Sequence, residues 1–245
     1  MSLGESERKA AIVFGGSRGI GAAIVKRLAQ DGFQVALTYL SSPDRAQQLV
    51  EEIGALGGKS IAIRADSADA KEVDAAVTRT VETFGRLDVA VVNAGVLRIG
   101  PVDAVSIEDL DLSLSINVRG VFLAVQAAAR QMADGGRIIT IGSNTAIRTG
   151  SPGSSVYAMT KAAVAAMAKG VALDLAPRRI TVNNIQPGPT ETDMTSSMID
   201  RLKDIVPLRR VGRPDEIAGL ASYLAGPQSG YMTGSSLTID GGYVL

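Results

Sequence analysis

The chain has 245 residues, 46% of them hydrophobic but only 4% aromatic, so its core must be built from aliphatic side chains. Its 25 basic and 25 acidic residues cancel with no long run of either sign, which argues against nucleic-acid or membrane-surface binding through bulk charge. The absence of Cys and His excludes disulfides, thiolate metal sites and imidazole catalysis, and no metal is expected. Missing cysteines also fit a reducing cytoplasm.

The N-terminal stretch Met1–Lys9 is polar and lacks the apolar core of a signal peptide. Apolar runs fall short of the roughly 20 residues needed to span a bilayer. A soluble, cytoplasmic protein is therefore expected.

Ala10–Phe14 reads as the first strand, and it runs into Phe14-Gly-Gly-Ser-Arg-Gly-Ile-Gly21 at the head of a helix over Gly19–Asp31. Gly15, Gly19 and Gly21 permit a tight turn, close approach of backbone to a pyrophosphate, and close helix–strand packing. The free N–H groups and positive dipole end of the helix suit an anion. Gly15, Ser17, Arg18, Gly19, Ile20 and Gly21 are accordingly candidate nucleotide contacts. The second strand, Phe33–Thr38, leads into Tyr39-Leu-Ser-Ser42 with no acid before Asp44. A site for NAD would carry an Asp or Glu here to bind the ribose 2′-hydroxyl. Its absence, with Arg18 in the turn and Tyr39 and Ser41 nearby, predicts NADP(H); the bland reading is a solvated Arg18.

A helix over Asp44–Leu56 and a strand over Lys59–Arg64 follow. Asp66 and Ser67 then stand at the carboxyl edge, where a carboxylate could recognise an adenine amino group or, equally, cap the next helix. That helix covers Ala70–Phe84, and Leu87–Val92 is the fourth strand. Asn93, Ala94 and Gly95 after it are small enough for backbone to lie against a ligand, or simply to turn tightly. A single helix is predicted over Asp109–Met132. Asn117 is a poor helix former within it, which favours a functional or packing role. Arg137–Ile141 is the fifth strand, and Ser143 just beyond should point into the crevice.

Tyr157 and Lys161 stand four apart on a helix over Val156–Leu175, which puts both on one face about 6 Å apart. An ammonium there favours phenolate and would lower the Tyr157 pKa, making it a general acid or base near neutral pH. Strands at Ile180–Ile185 and Ser236–Ile239 and a helix over Pro214–Leu224 complete the pattern. Between them, Gly188–Pro207 has little periodicity and reads either as a surface connection or as a mobile lid. Seven strands alternating with six helices argue for right-handed βαβ units in one doubly wound parallel sheet and a single domain spanning residues 1–245.

Taken together, the glycine turn, Val92–Gly95, Asn117, Ser143, Tyr157/Lys161 and Pro187-Gly188 resemble the short-chain dehydrogenase/reductase family in order and approximate spacing. The resemblance implies a Rossmann fold with strand order 3-2-1-4-5-6-7, a homotetramer, and a small carbonyl or alcohol substrate. It implies Tyr157 as general acid/base, Ser143 orienting the carbonyl, Lys161 binding the nicotinamide ribose, and Asn117 holding a relay water. Pro187, Gly188, Thr190 and Thr192 would face the nicotinamide half. The sequence departs from the family where Phe14 replaces Thr and Val92 replaces Asn, removing polar links between turn and strands. The interval from Ser143 to Tyr157 is also about one residue longer than usual. Pro207–Glu216 and Thr238–Gly242 resemble the family's 3-oxoacyl-(acyl carrier protein) reductases, although Asp134 has the wrong sign for an acidic carrier and Arg178 and Arg179 compensate only in part. The glycine turn and Gln186–Pro189 also resemble regulators of this fold that bind a cyclic dinucleotide, a non-enzymatic alternative. Arg98, Arg148 and Met194 are either substrate-pocket or solvated loop residues.

Overall fold

The computed structural model describes residues 8–245; the polar stretch Met1–Lys9 therefore lies largely outside the described residues. Seven strands form one parallel sheet in the order β3-β2-β1-β4-β5-β6-β7, as the family resemblance implied. They are β1 (Ala10–Phe14), β2 (Gln34–Tyr39), β3 (Ser60–Arg64), β4 (Val89–Val92), β5 (Arg137–Ile141), β6 (Thr181–Pro187) and β7 (Ser236–Ile239).

Strand β1 explains why the sheet needs helices on both faces. All five of its residues are buried, and alternate ones enter different cores. Ala10, Ile12 and Phe14 face one cluster with Val73, Val77, Val125 and Val164; Ala11 and Val13 face the other with Ile24, Leu28, Ile217 and Leu224. The period of two sends successive side chains to opposite faces, so an apolar run must be covered twice. Helices α1 (Gly19–Gln30), α2 (Pro43–Ala55) and α8 (Pro214–Ala225) cover one face. Helices α3 (Ala70–Phe84), α5 (Val121–Gln131) and α6 (Ser155–Leu175) cover the other. Phe14 and Val92, which interrupt the family's polar pattern, are both buried apolar residues of this second core.

Three departures from the sequence reading stand out. The helix expected over Asp109–Met132 is α4 (Ile107–Leu114) joined to α5 through a π-helical turn, Ser115–Gly120, with Asn117 inside it. Segment 188–207, read as aperiodic, contains a short helix α7 (Ile199–Ile205). Finally, continuous helix over Ile107–Gln131 and Ser155–Arg178 is long and apolar enough to cross a membrane by length and composition, contrary to the expectation from apolar runs. Both pack on the sheet, where Ala124, Val125, Ala128, Val164, Ala168 and Ala172 are buried.

Candidate active site

In an open α/β sheet ligands bind beyond the carboxyl ends of the strands, where the strand order reverses. Here that place lies between β1 and β4, and it opens a cavity of about 580 Å³. Gly15, Ser17, Arg18, Gly19 and Ile20 line it from the first turn, and Tyr39 and Ser41 from the end of β2. Asp66 and Ser67 after β3, Asn93–Gly95 after β4, and Thr192 from the segment beyond β6 also line it, whereas Gly21, Tyr157, Lys161, Pro187, Gly188 and Thr190 do not. Residues not anticipated there include Thr38, Ile116 and Asp193. A second cavity of about 590 Å³ lies between α3 and α5 and holds none of the candidate residues, so the chemistry points to the strand-end crevice.

The glycine turn is held by links that replace the missing Thr and Asn of the family pattern. Gly15 N–H donates to Thr38 Oγ1 at 3.0 Å, and Asn93 Nδ2 donates to the Gly15 carbonyl at 2.8 Å. Gly15 has φ +70°, and a Cβ there would meet Ala94 Cα at 2.8 Å. Gly21 has no room at all: a Cβ would sit 2.1 Å from the Gly15 carbonyl oxygen. These positions leave backbone, not side chain, facing the crevice.

Asp66 does not cap α3. Asp69 does, accepting from the backbone N–H of Lys71 and Glu72. Asp66 instead accepts from Ala68 N–H at 2.8 Å, a local turn that leaves its carboxyl at the cavity wall.

Beyond the cavity, Ser143 follows β5 and is buried, its hydroxyl accepting from Thr145 N–H at 3.2 Å. Lys161 is buried at 4% exposure and its ammonium donates to the Ile141 carbonyl at 3.0 Å. It lies 5.7 Å from the centre of the Tyr157 ring, as the helical spacing predicted. The electrostatic consequence differs from the expectation. Burial pushes the Tyr157 phenol up to about 12, opposed by its contact with Ser143, and burial pushes Lys161 down to about 8. Tyr157 as a residue keeps part of its surface exposed; it is the enclosure of the hydroxyl that sets its acidity. The contact with Ser143 lies outside ordinary hydrogen-bond geometry in this conformation, so desolvation governs the direction. No carboxylate among the described residues lies within ion-pair distance of Lys161.

Asn117 is fully buried and its amide is engaged on both sides: Oδ1 accepts from Val96 N–H at 2.8 Å and Nδ2 donates to the Val96 carbonyl at 2.8 Å. Its side chain therefore clamps the loop after β4. A Cβ on Gly95 would meet Asn117 Oδ1 at 3.3 Å and Lys161 Nζ at 3.5 Å, so Asn117, Gly95 and Lys161 form one cluster. Pro187, Gly188 and Thr190 lie outside the cavity; a Cβ on Gly188 would meet that of Asp240 at 2.4 Å, and Thr190 Oγ1 donates to the Gly188 carbonyl. Thr192 lies against Gly19, whose Cβ would meet Thr192 Cγ2 at 3.3 Å. Arg98 pairs with Asp109 at 2.8 Å, Arg148 donates to the carbonyls of Tyr243 and Leu245, and Met194 lines the cavity.

Comparison with known proteins agrees with this geometry. The family model described as enoyl-(acyl carrier protein) reductase matches residues 15–244. A solved short-chain dehydrogenase/reductase from Serratia marcescens is 53% identical, covers 97% of this chain and 98% of its own, and superposes with a TM-score of 0.94. The chain belongs to the short-chain dehydrogenase/reductase family. Another short-chain dehydrogenase, from Burkholderia cenocepacia, was solved in complex with NADP; it is 48% identical over 97% of this chain and 98% of its own, with a TM-score of 0.94. The cyclic-di-GMP-binding biofilm dispersal mediator protein of Escherichia coli is 41% identical over 98% of this chain and 99% of its own length. Membership makes the protein an oxidoreductase of the short-chain dehydrogenase/reductase family.

Proposed function

We propose that the protein is an NADP(H)-dependent carbonyl reductase, reversible as an alcohol dehydrogenase, acting on a small-molecule substrate. The observation that carries the proposal is Tyr157, in contact with Ser143, beside the buried ammonium of Lys161, which lies next to Gly95 of the crevice wall. The residues present fit such a cofactor: Gly15 and Gly95 keep side chains out of the crevice, and Lys161 presents a buried amine with no carboxylate partner among the described residues.

When bound, the nicotinamide supplies the hydride. Ser143 donates a hydrogen bond to the substrate carbonyl oxygen and fixes its direction. Tyr157, protonated at neutral pH and pushed further up by burial, gives the phenolic proton to that oxygen as negative charge develops there. Lys161 then stabilises the phenolate left behind, and in the reverse direction the phenolate takes the proton back. Asp66 and Ser67 hold the adenine side, and Arg18 the 2′-phosphate. Pro187, Gly188, Thr190 and Thr192 flank the nicotinamide half, and segment 188–207 is the lid.

A 3-oxoacyl substrate is one class to test, but docking of an acidic carrier through Arg178 is disfavoured: its guanidinium is already engaged by Asp134 at 3.1 Å and by backbone carbonyls at the end of α5. The name of the E. coli relative raises a cyclic-dinucleotide regulator as the second reading. A pure binder has no use for a Tyr–Lys pair whose burial disfavours the charged lysine, so the enzyme is preferred. A cytoplasmic homotetramer is part of the proposal, supported by the exposed Phe122, Met159 and Leu173 on α5 and α6. No nucleic-acid or membrane partner is proposed.

The test is NADPH oxidation at 340 nm across β-ketoesters, acyl thioesters, diketones and simple ketones. Tyr157→Phe should lower turnover at least ~100-fold, as loss of a general acid does, with NADPH affinity unchanged. Near-normal turnover of that variant would refute the assignment; NADPH binding with no turnover on any substrate, and competition by cyclic-di-GMP, would favour the regulator.

A further inference from the structure

Segment 188–207 carries one acid that reaches back to the nucleotide end of the crevice. Asp193 Oδ2 accepts from Arg45 Nη1 at 2.5 Å, across 148 residues of sequence, and stands 3.9 Å from Arg18 Nη1. Arg18 sits in the glycine turn and lines the crevice with Ser41 and Ser42, and Arg45 follows them in the first turn of α2. One carboxylate oxygen is thus bracketed by two guanidinium groups, and its proton affinity falls because Arg45 and Arg18 favour the anion. Two like charges converge there because an anion lies between them. Asp193 also lines the cavity and belongs to the strip whose Thr192 rests on Gly19, so the same strip covers the glycine turn.

We propose that Asp193 is a cofactor-selectivity residue: it occupies the anion seat formed by Arg18 and Arg45, and the 2′-phosphate of NADP(H) must displace it, whereas NAD(H) need not. The inference rests on the crevice binding NADP(H), as proposed above, but not on any substrate being reduced. A phosphate monoester carries nearly two negative charges and three acceptor oxygens against one charge on a carboxylate, so it wins the two arginines. Its arrival frees Asp193 and repels it, which loosens the strip from the glycine turn. By reciprocity, an Asp193 that holds the arginines weakens NADPH binding by the same factor. All three side chains are more than half exposed, so the ion pair is a weak latch that tunes affinity and does not block it.

The experiment measures dissociation constants of NADPH and NADH by calorimetry for wild type, Asp193→Asn, Arg45→Gln and the double variant, with circular dichroism to check folding. Asp193→Asn should bind NADPH about two- to fivefold tighter, the range spanned by exposed ion pairs, and NADH unchanged. Arg45→Gln should weaken NADPH by a comparable factor and again leave NADH alone. In the Arg45→Gln background the gain from Asp193→Asn should largely vanish, because the two act through one contact. An unchanged NADPH constant in Asp193→Asn, equal effects on both cofactors, or a gain that survives in the double variant would overturn the assignment. Tight NADPH binding with no turnover would count against the reductase alone and leave the role of Asp193 standing.

Discussion

Replacing Lys161 by Met should make the protein more stable while disabling it. Lys161 is buried, its only hydrogen bond in the described structure goes to the Ile141 carbonyl, and burial takes its pKa from 10.5 down to about 8. At about 1.4 kcal/mol per pH unit, that fall means roughly 3 kcal/mol lost when the charged side chain is folded away from water. Met fills a similar volume without charge; loss of the bond to Ile141 returns about 1 kcal/mol. The net gain of about 2 kcal/mol corresponds to a rise in Tm of about 4–8 °C for a chain of this size. Its pH dependence is the sharper test. Below pH 8 the lysine is charged in folded and unfolded chains alike, so the full penalty is present. Between pH 8 and 10.5 the unfolded chain holds the proton and the folded protein does not, so wild-type stability rises with pH and the gap to Lys161→Met closes. Tyr157, raised to about 12, adds stability that is complete below pH 10 and lost between 10 and 12, but equally in both proteins. Urea denaturation at pH 7, 8.5 and 10 measures the gap. A variant less stable than wild type at pH 7, or a gap that does not change with pH, would refute the reasoning.

Two further substitutions probe the frame of the site. Gly21→Ala puts a methyl 2.1 Å from the Gly15 carbonyl oxygen, so the turn must open; nucleotide affinity measured by calorimetry should fall at least tenfold, with about 1–3 kcal/mol lost in stability as for other overpacked sites. Asn117→Ala leaves the Val96 N–H and carbonyl without their partner, and should lower stability by about 2–6 kcal/mol on unfolding in urea, at about 1–3 kcal/mol for each orphaned group. An Asn117→Ala protein as stable as wild type would mean that the Val96 clamp does not hold the loop.

Local pattern carried the sheet and the nucleotide end well. The run Ala10–Phe14 is apolar at every position, and that is legible as a strand covered on both faces; the glycines at 15, 19 and 21 announce a tight turn, in which Gly15 and Gly21 leave no room for a Cβ. The pattern was weaker where two similar residues compete for the same role. Asp66 and Asp69 both precede α3, and only the chain's path decides that Asp69 caps it while Asp66 turns toward the cavity. The pairing of Arg45 with Asp193 had no signal at all, since ion pairs between exposed residues leave no periodicity. The helix in segment 188–207 escaped because Ile199–Ile205 is only two turns long and has no buried residue to set a stripe.

The acidity of Tyr157 shows why spacing alone misleads. Four residues of helix set the distance to Lys161, and in water that distance would favour the phenolate. The same packing that brings the pair together also removes water from both groups, and desolvation disfavours each charged form: the phenol rises and the ammonium falls. Burial was not written in the four-residue interval; it comes from the cluster around it. Asn117, inside a π-helical turn, clamps Val96 next to Gly95, and a Cβ on Gly95 would press on Asn117 Oδ1 at 3.3 Å and touch Lys161 Nζ at 3.5 Å. A helix-misfit Asn, a glycine and a buried lysine, each locally unfavourable, are therefore parts of one arrangement. Such concentration of misfits at one place is expected where stability has been given up for function, and it groups Lys161 with Asn117 and Gly95.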